Sequence, residues 1–351
     1  MRIAVCHPKP PFMSGGAESH VRGLVDALHE AGHEAEVVSI PFKWYPPNEL
    51  VHQMGMWRSV DLTETNGEPI DMVIAMKFPA YMVRHPNKIV WLIHQHRTAW
   101  DLWDVPELGD LVHEPDGMAV RDVIHAADFV GLGDARRIFT NSENVRGRLE
   151  RSTGIRGDVL YHRSHLADRL LRGQSGPQGD YILYPSRFDK LKRQWLAIDA
   201  MKHVASGVRL VLVGAGPEQA SLEERVRKGR LHDRVEIRAR VPDEELLDLY
   251  LGALAVYFGP FDEDYGYVTI EGMAAARPVV VTTDSGGPLE FARGGETGLI
   301  VEPEAQAIAE AFDGLFKDRG RAESLGAAGR AFVTGQIPGW PRVVRRLLDE
   351  G

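Results

Sequence analysis

The sequence has almost no cysteine and no long apolar run. Cys6 is the only cysteine among 351 residues, so no disulfide can form within the chain, and a reducing compartment is expected. No stretch approaches the about 18 consecutive apolar residues of a membrane-spanning helix. The first apolar segment is short and stops at Pro8, unlike the core of a signal peptide. These absences predict a cytoplasmic protein.

Basic residues are in the minority. The chain has 41 Lys and Arg against 50 Asp and Glu, which gives a formal charge of −9. Nucleic-acid binders need a basic surface, so no nucleic-acid partner is expected. Hydrophobic residues make up 44% of the chain, which excludes disorder as the main state. At about 100–200 residues per domain, the length predicts two domains.

Short apolar runs alternate with helical patterns along the whole chain. The runs are nearly continuous, which is typical of parallel strands buried on both faces, and their alternation with helices predicts an α/β fold. The predicted domains are 1–172 and 180–335, joined by a polar, Gly- and Pro-rich linker over 173–180. A C-terminal helix is expected within 336–351, and packing across the domain junction is one candidate place for it. The predicted strands are 3–6, 35–40, 72–76, 89–93, 138–141, 181–185, 208–214, 235–237, 255–258, 279–282 and 299–301.

Two segments have the features of phosphate-binding sites. The first, Ser14-Gly15-Gly16-Ala17-Glu18, lies between a predicted strand and a helix, where bare backbone and free N–H groups suit a phosphate. A plain turn explains it equally well. It lacks the Gly-x-Gly-x-x-Gly spacing of dinucleotide sites, which disfavours an oxidoreductase. The second segment, 187–193, places four basic side chains after the strand 181–185, where α/β sheets bind ligands; a solvated helix start is the alternative.

Two carboxylates stand eight positions apart in the second half. Glu263 and Glu271 flank Gly266, and a helix beginning near Tyr267 would carry Glu271 in its early turns. Carboxylates accept paired hydrogen bonds from ribose and sugar diols. The triplet 262–264 also has Asp-x-Asp spacing, which suits a hard cation. Adjacent acids arise readily in an acidic chain, however, and no metal site is expected.

Further turns complete the set of candidates. Residues 284–290 and 214–217 are glycine-rich turns that could present amides to a phosphate. His94 and His96 follow the strand 89–93, and both side chains could point into a cleft. A structural histidine is the alternative for each, and the sequence does not choose between the two.

Taken together, these motifs resemble the family-4 glycosyltransferases, which are retaining enzymes of the GT-B fold. The resemblance implies two Rossmann-like, doubly wound parallel-sheet domains that face each other across a cleft. It rests on the order of weak motifs: Gly-Gly-Ala-Glu, Ser-Arg with Lys five positions after the Arg, Val-Gly-x-Gly-Pro, Glu-x7-Glu, Pro-Val-Val, Gly-Gly-x-x-Glu and Gly-Leu-Ile-Val.

The resemblance also implies roles for particular residues. Arg187 and Lys192 would hold the donor diphosphate, Glu263 would face the donor sugar, and His94 or His96 would lie near the transferred sugar. Segment 237–241 would read the base. The implied substrate-binding residues are Gly15, Gly16, Gly214, Arg240, Val241, Tyr265, Gly266, Tyr267 and Glu271. The chain departs from the family at Arg193, at Ala276-Arg277 and at Tyr265, which affects the choice of donor rather than the reaction class.

The implied activity is transfer of a sugar from a UDP- or GDP-linked donor to a hydroxyl acceptor with retention of configuration. The acceptor would be a small molecule, a glycan or a lipid-linked hydroxyl. No cofactor is expected, and a divalent cation is not expected to be required. A GT-B nucleotide-sugar 2-epimerase and a non-catalytic nucleotide-sugar-binding protein stay open. A lipid-linked acceptor would require contact with the cytoplasmic face of a membrane. The helix predicted over 48–61 is a candidate for that contact, with a core-facing helix as the alternative.

Overall fold

The computed structural model describes residues 1–13, 15–173 and 176–349. The chain divides into two compact units, Met1–His162 with Trp340–Gly351 and Arg163–Gly339. The C-terminal helix therefore belongs to the first unit. Ser14 of the first glycine motif, residues 174–175 of the predicted linker and residues 350–351 lie outside the described residues.

The first unit is a parallel sheet with helices on both faces. Its six-stranded sheet has the order β2-β1-β5-β6-β7-β8, and all neighbouring strands are parallel. Its elements are β1 (Arg2–Cys6), α1 (Gly16–Glu30), β2 (Glu34–Val38), α2 (Asn48–Ser59), the hairpin strands β3 (Glu64–Thr65) and β4 (Glu68–Pro69), β5 (Met72–Ala75), β6 (Lys88–Leu92), α3 (Gly117–Gly133), β7 (Arg137–Thr140), α4 (Glu143–Thr153), β8 (Asp158–Val159) and α12 (Trp340–Leu348).

Both faces of this sheet are buried, which explains the continuous apolar runs. Successive residues of each strand point to opposite faces. Cys6 and Val90 therefore join one apolar cluster, which includes residues of α2 and α3, and Val5 and Trp91 join another, which includes residues of α1 and α12. Burial also raises the pKa of the Cys6 thiol, so this cysteine stays protonated.

Helix α2 presents its larger side chains to the core. Leu50, Met54 and Trp57 are buried, whereas Met56 is 46% exposed. The core-facing alternative for this segment is therefore the observed one. Among the described residues, no helix combines the length and the apolar character that crossing a bilayer requires.

The second unit repeats the plan with a second six-stranded parallel sheet. The strand order is β11-β10-β9-β12-β13-β14, the doubly wound order of Rossmann-type sheets. The predicted α/β fold with two parallel sheets is confirmed. The elements are α5 (His165–Arg172), β9 (Tyr181–Pro185), α6 (Gln194–Ala200), β10 (Arg209–Val213), α7 (Gln219–Gly229), β11 (Val235–Arg238), α8 (Asp243–Gly252), β12 (Ala255–Tyr257), α9 (Tyr267–Ala274), β13 (Val279–Thr282), β14 (Gly298–Val301), α10 (Ala305–Lys317) and α11 (Arg319–Gln336).

Candidate functional site

The second sheet changes winding direction between β9 and β12. These strands are neighbours, with Leu183 opposite Val256, but β10 extends the sheet on one side and β13 on the other. The loops that follow β9 and β12 therefore diverge at the carboxyl edge, where open α/β sheets bind ligands. Arg187 and Lys192 follow β9, and Glu263 follows β12. Topology thus brings these three predicted residues to one edge.

The basic cluster after β9 is divided among separate acidic partners. Arg187 forms an ion pair with Asp189, and Lys192 forms one with Glu263. The side chains of Lys192 and Glu263 are 23% and 17% exposed, so this pair is shielded but still reachable from solvent. Burial alone would raise the pKa of Asp189, and the hydrogen bond from Arg187 lowers it overall. Within the described ranges, no group of His, Cys, Asp or Glu side chains has the arrangement of a metal site.

Arg193, where the related family usually has Gly, ties three loops together. Its guanidinium donates to both carboxylate oxygens of Asp284 at 2.7 Å, to Thr282 Oγ1 at 3.0 Å and to the Gly259 carbonyl at 3.1 Å. Its backbone adopts a left-handed conformation with φ of 50°, which glycine would enter more easily. We infer that Arg193 has a structural role, because its N–H donors are already hydrogen-bonded to oxygen atoms of the protein.

The backbone of Glu263 is held by the turn after β13. The Glu263 amide donates to the Ser285 carbonyl at 2.8 Å, and the Gly287 amide donates to the Glu263 carbonyl at 2.8 Å. A Cβ atom at Gly287 would lie 2.7 Å from a carbonyl oxygen of the facing loop. Gly266 caps α9 with φ of 88°, and a Cβ there would lie 2.7 Å from Pro288 Cγ. Glycines at both positions therefore permit the close approach of the loop after β12 to the turn after β13.

Two tyrosines flank Gly266. Tyr265 is buried, and its ring meets those of Tyr267 and Phe291 edge-on at centroid distances of 5.4 and 5.3 Å. Tyr267 is the first residue of α9, as the sequence predicts. Burial raises the pKa of Tyr267 well above its usual value, so its phenol stays neutral at physiological pH.

Glu271 is buried, and both of its carboxylate oxygens accept hydrogen bonds from the protein. The Ser164 hydroxyl donates to Oε1 and the Tyr250 hydroxyl to Oε2, each at 2.7 Å. Burial raises the pKa of Glu271. The carboxyl group therefore ties α9 to the start of α5 and to α8. A ribose would have to share these oxygens with the two hydroxyl groups.

The ends of β10 and β11 lie beside the basic loop. The Gly214 amide donates to the Arg238 carbonyl at 3.0 Å. A Cβ atom at Gly214 would lie only 2.0 Å from the carbonyl oxygen of Ser186, directly before Arg187. Arg240 is exposed and Val241 half-buried in the loop after β11. These residues share the carboxyl edge with the cluster.

The remaining predicted residues belong to the first unit. Gly15 and Gly16 form the start of α1, where the Gly15 amide donates to Glu18 Oε2 at 2.7 Å. The other oxygen of Glu18 lies 3.3 Å from His7 Nε2. Burial alone would raise the pKa of Glu18, and its contacts, with His7 first, lower it to about 2. Glu18 therefore already occupies one amide of this turn as a permanent anion.

His94 and His96 have different surroundings. The Nδ1 atom of His94 lies 2.6 Å from the Gln95 carbonyl, which assigns a proton to Nδ1 because a carbonyl only accepts. His94 also lines a cavity of the first unit. His96 packs on the Phe78 ring at 5.0 Å, and burial lowers the pKa of His96 to about 4. Of the two histidines, His94 is the one that lines this cavity.

Sequence reasoning missed Asp128. This carboxylate of α3 is fully buried and accepts hydrogen bonds from Tyr81 (2.7 Å), Gln95 (3.0 Å) and Trp100 (2.8 Å). Burial raises the pKa of Asp128 to about 6. It anchors the loop that carries His94. A single acidic residue on the apolar face of a helical segment was the available signal.

The region that matches a known protein family lies in the second unit. The family model described as glycosyl transferases group 1 matches residues 172–332, which include every candidate residue from Arg187 to Glu271. Residues 172–332 are thus similar to glycosyl transferases group 1. The resemblance inferred from the motifs is therefore confirmed for this domain.

Similar proteins act in sugar transfer. A GDP-mannose-dependent alpha-(1-6)-phosphatidylinositol monomannoside mannosyltransferase of Mycobacterium tuberculosis is 32% identical over 44% of this chain. The match spans only 41% of that relative's length. A D-inositol 3-phosphate glycosyltransferase of Pseudarthrobacter chlorophenolicus is 25% identical over 96% of this chain and 90% of its own length.

Solved structures share the fold of the whole chain. A sucrose-phosphate synthase from Thermosynechococcus elongatus has a TM-score of 0.79 at 19% identity, covering 99% of this chain and 98% of its own. The Anabaena protein HepE, in complex with UDP-glucose, has a TM-score of 0.71 at 16% identity, covering 99% of both chains. The fold is that of the GT-B glycosyltransferases.

Proposed function

We propose that this protein is a retaining glycosyltransferase that moves a sugar from a nucleotide diphosphate sugar to a hydroxyl group. The pairing of Lys192 with Glu263 at the switch point of a glycosyl transferases group 1 domain carries the proposal. The cation suits the anionic diphosphate of a nucleotide-sugar donor, and the adjacent carboxylate suits the hydroxyl groups of its neutral sugar.

Lys192 and Arg187 are proposed to stabilise the leaving diphosphate. Breaking the sugar–phosphate bond builds negative charge on the phosphate, and cationic donors fixed in advance lower the energy of that transition state. Each currently contacts a carboxylate, Glu263 or Asp189. A bound diphosphate would take over part of these contacts, and Glu263 would be released toward the sugar hydroxyls.

Retention needs no separate general base in this proposal. The departing phosphate accepts the proton of the acceptor hydroxyl as the new bond forms on the same face of the sugar. We propose that His94, whose Nδ1 atom carries the proton, lies near the transferred sugar and contacts it through its Nε2 atom. The named relatives use GDP-mannose or act on inositol phosphate or phosphatidylinositol derivatives, and the structural neighbour HepE binds UDP-glucose. We therefore include GDP- and UDP-linked donors and lipid-linked acceptors.

A donor panel tests the activity. The protein is incubated with UDP- and GDP-linked sugars, and free nucleoside diphosphate is measured without and with candidate acceptors. Slow release without an acceptor, accelerated by one of them, supports transfer. Tight donor binding without release under any condition would instead indicate a nucleotide-sugar-binding protein. Conversion of the donor sugar to its 2-epimer would indicate an epimerase.

A further inference from the structure

The first unit contains a cavity that the donor chemistry of the second unit does not use. Its volume is about 300 Å³, at the small end of the range for ligand sites. It lies between the loop that follows β6 and helix α4, and its lining residues all belong to the first unit. His94 is part of the wall, so a ligand here would contact one of the two histidines that the family resemblance places near the transferred sugar.

The walls of this cavity are fixed before any ligand binds. Gln95 and Trp100 both line it, and both donate to the buried carboxylate of Asp128, at 3.0 and 2.8 Å. The hydroxyl of Ser152, on the α4 side, donates to Gln95 Oε1 at 3.0 Å. The loop is therefore joined by hydrogen bonds to α3, through Asp128, and to α4, through Ser152. Such preorganisation lowers the ordering cost of binding.

Cationic side chains outnumber anionic ones among the residues that line the cavity. Arg97, Arg148 and Arg151 line the cavity together with Asp101 and Asp104. Asp101 lies 2.7 Å from Arg97, and its same oxygen lies 3.7 Å from Arg148 Nε. One carboxylate is thus already committed to the inner guanidinium groups.

Arg151 supplies an accessible cation. It lies in the last turn of α4 and is exposed. No ion pair within 4.0 Å involves it in the described part of the chain. Guanidinium groups bind phosphate oxygens through paired N–H donors, and several guanidinium groups around one cavity suit a ligand with several anionic oxygens better than a neutral one.

We propose that this cavity binds the phosphate ester of a phosphorylated polyol acceptor, which presents a hydroxyl group for glycosylation. The inference rests on the proposed transferase function and specifies its acceptor class. The phosphate would come from a free polyol phosphate or from a phospholipid head group, since both carry the same anionic oxygens. A hexose-sized polyol phosphate matches the volume of the cavity.

Binding is measured directly, without donor. Isothermal titration calorimetry compares myo-inositol 1-phosphate with neutral myo-inositol, and vesicle sedimentation compares phosphatidylcholine vesicles with and without phosphatidylinositol. We expect the phosphorylated probe to bind and the neutral polyol not to bind at the same concentration, with affinity falling as salt rises. Binding of the soluble probe alone assigns a free acceptor, and additional vesicle binding assigns a lipid-linked one. Failure of both phosphorylated probes, or equal binding of myo-inositol, would overturn the inference.

Two arginines of the same helix give a matched comparison. Arg151→Gln should weaken binding of the phosphorylated probe roughly tenfold, the effect of one lost charge-assisted hydrogen bond. Arg146→Gln should leave it unchanged, because Arg146 pairs with Glu143 and does not line the cavity. Equal weakening in both variants would mean a general charge effect and would contradict the assignment.

Acceptor-independent release of nucleoside diphosphate is measured on the same preparations. Normal release with no probe binding refutes the acceptor class alone. Probe binding without release of nucleoside diphosphate, even when donor and probe are supplied together, refutes the transferase function instead.

Discussion

Replacement of Lys192 by Ala tests the proposed donor chemistry. The ammonium group forms an ion pair with Glu263, in the loop that follows β12. Losing one preplaced donor to a developing anion typically lowers turnover about 10²–10³-fold. We therefore expect kcat/KM for the best donor to fall by about that factor in Lys192→Ala, because the transition state loses stabilisation of the charge that develops on the diphosphate.

Stability should change far less than activity. The two side chains of the pair keep 23% and 17% of their surface exposed, and partly solvated pairs contribute about 0–1 kcal/mol. In a domain of about 150–250 residues, 1 kcal/mol shifts Tm by about 2–4 °C. A loss of activity together with a Tm drop no larger than this would separate a role in turnover from a role in folding.

The matched control is Lys190→Ala. Lys190 lies in the same short turn, Lys190–Lys192, and is exposed. Nucleoside diphosphate release and thermal unfolding are measured for both variants. Turnover of Lys192→Ala within about threefold of wild type, well short of the loss expected for a preplaced donor, would refute the reasoning. An equal loss in Lys190→Ala would refute it as well.

Three further outcomes follow from buried groups and close contacts. Glu271→Ala leaves two buried hydroxyl donors without their acceptor, so urea unfolding should show a loss of about 2–4 kcal/mol; an unchanged midpoint would mean that these bonds contribute nothing. Burial lowers the pKa of His20 well below 6.5 and that of His162 to about 3. The unfolded chain therefore binds more protons below pH 6.5, and stability should fall as pH decreases from there, by about 1.4 kcal/mol per pH unit for each histidine. Replacing His162 by Leu should make this decline shallower between pH 7 and 5, and an identical slope would contradict the assignment. A Cβ at Gly216 would lie 2.2 Å from a backbone carbonyl oxygen, so Gly216→Ala should cost about 1–3 kcal/mol. Gly55→Ala, in open space within α2, should cost nothing, and equal melting of the two variants would contradict the steric argument.

The strands were predictable because both faces of each sheet are buried. Burial on both faces requires a continuous apolar run, and such a run is visible in the sequence without knowledge of its neighbours. The strands Glu64–Thr65, Glu68–Pro69 and Asp158–Val159 were missed for the converse reason. They are two residues long and largely exposed, so no apolar pattern marks them.

The candidate residues were predictable only as types of side chain in loops. The four cations after one strand and the two carboxylates after another can be read directly from the sequence. That Lys192 pairs with Glu263 while Arg193 pairs with Asp284 depends on which strands are neighbours. The roles assigned to these residues in binding and catalysis stay predictions until the variants are measured.

The sequence by itself determined the two parallel sheets, the glycine turns at their edges and the motif order of a glycosyl transferases group 1 domain. These properties are local, because each depends on a few consecutive residues and their solvent exposure. The tertiary structure alone decided that Glu271 is enclosed by two hydroxyl donors, that His94 rather than His96 lines a cavity, and that Asp128 anchors its wall. Those facts depend on distances between residues far apart in the chain, which only the packing of helices on the sheets sets.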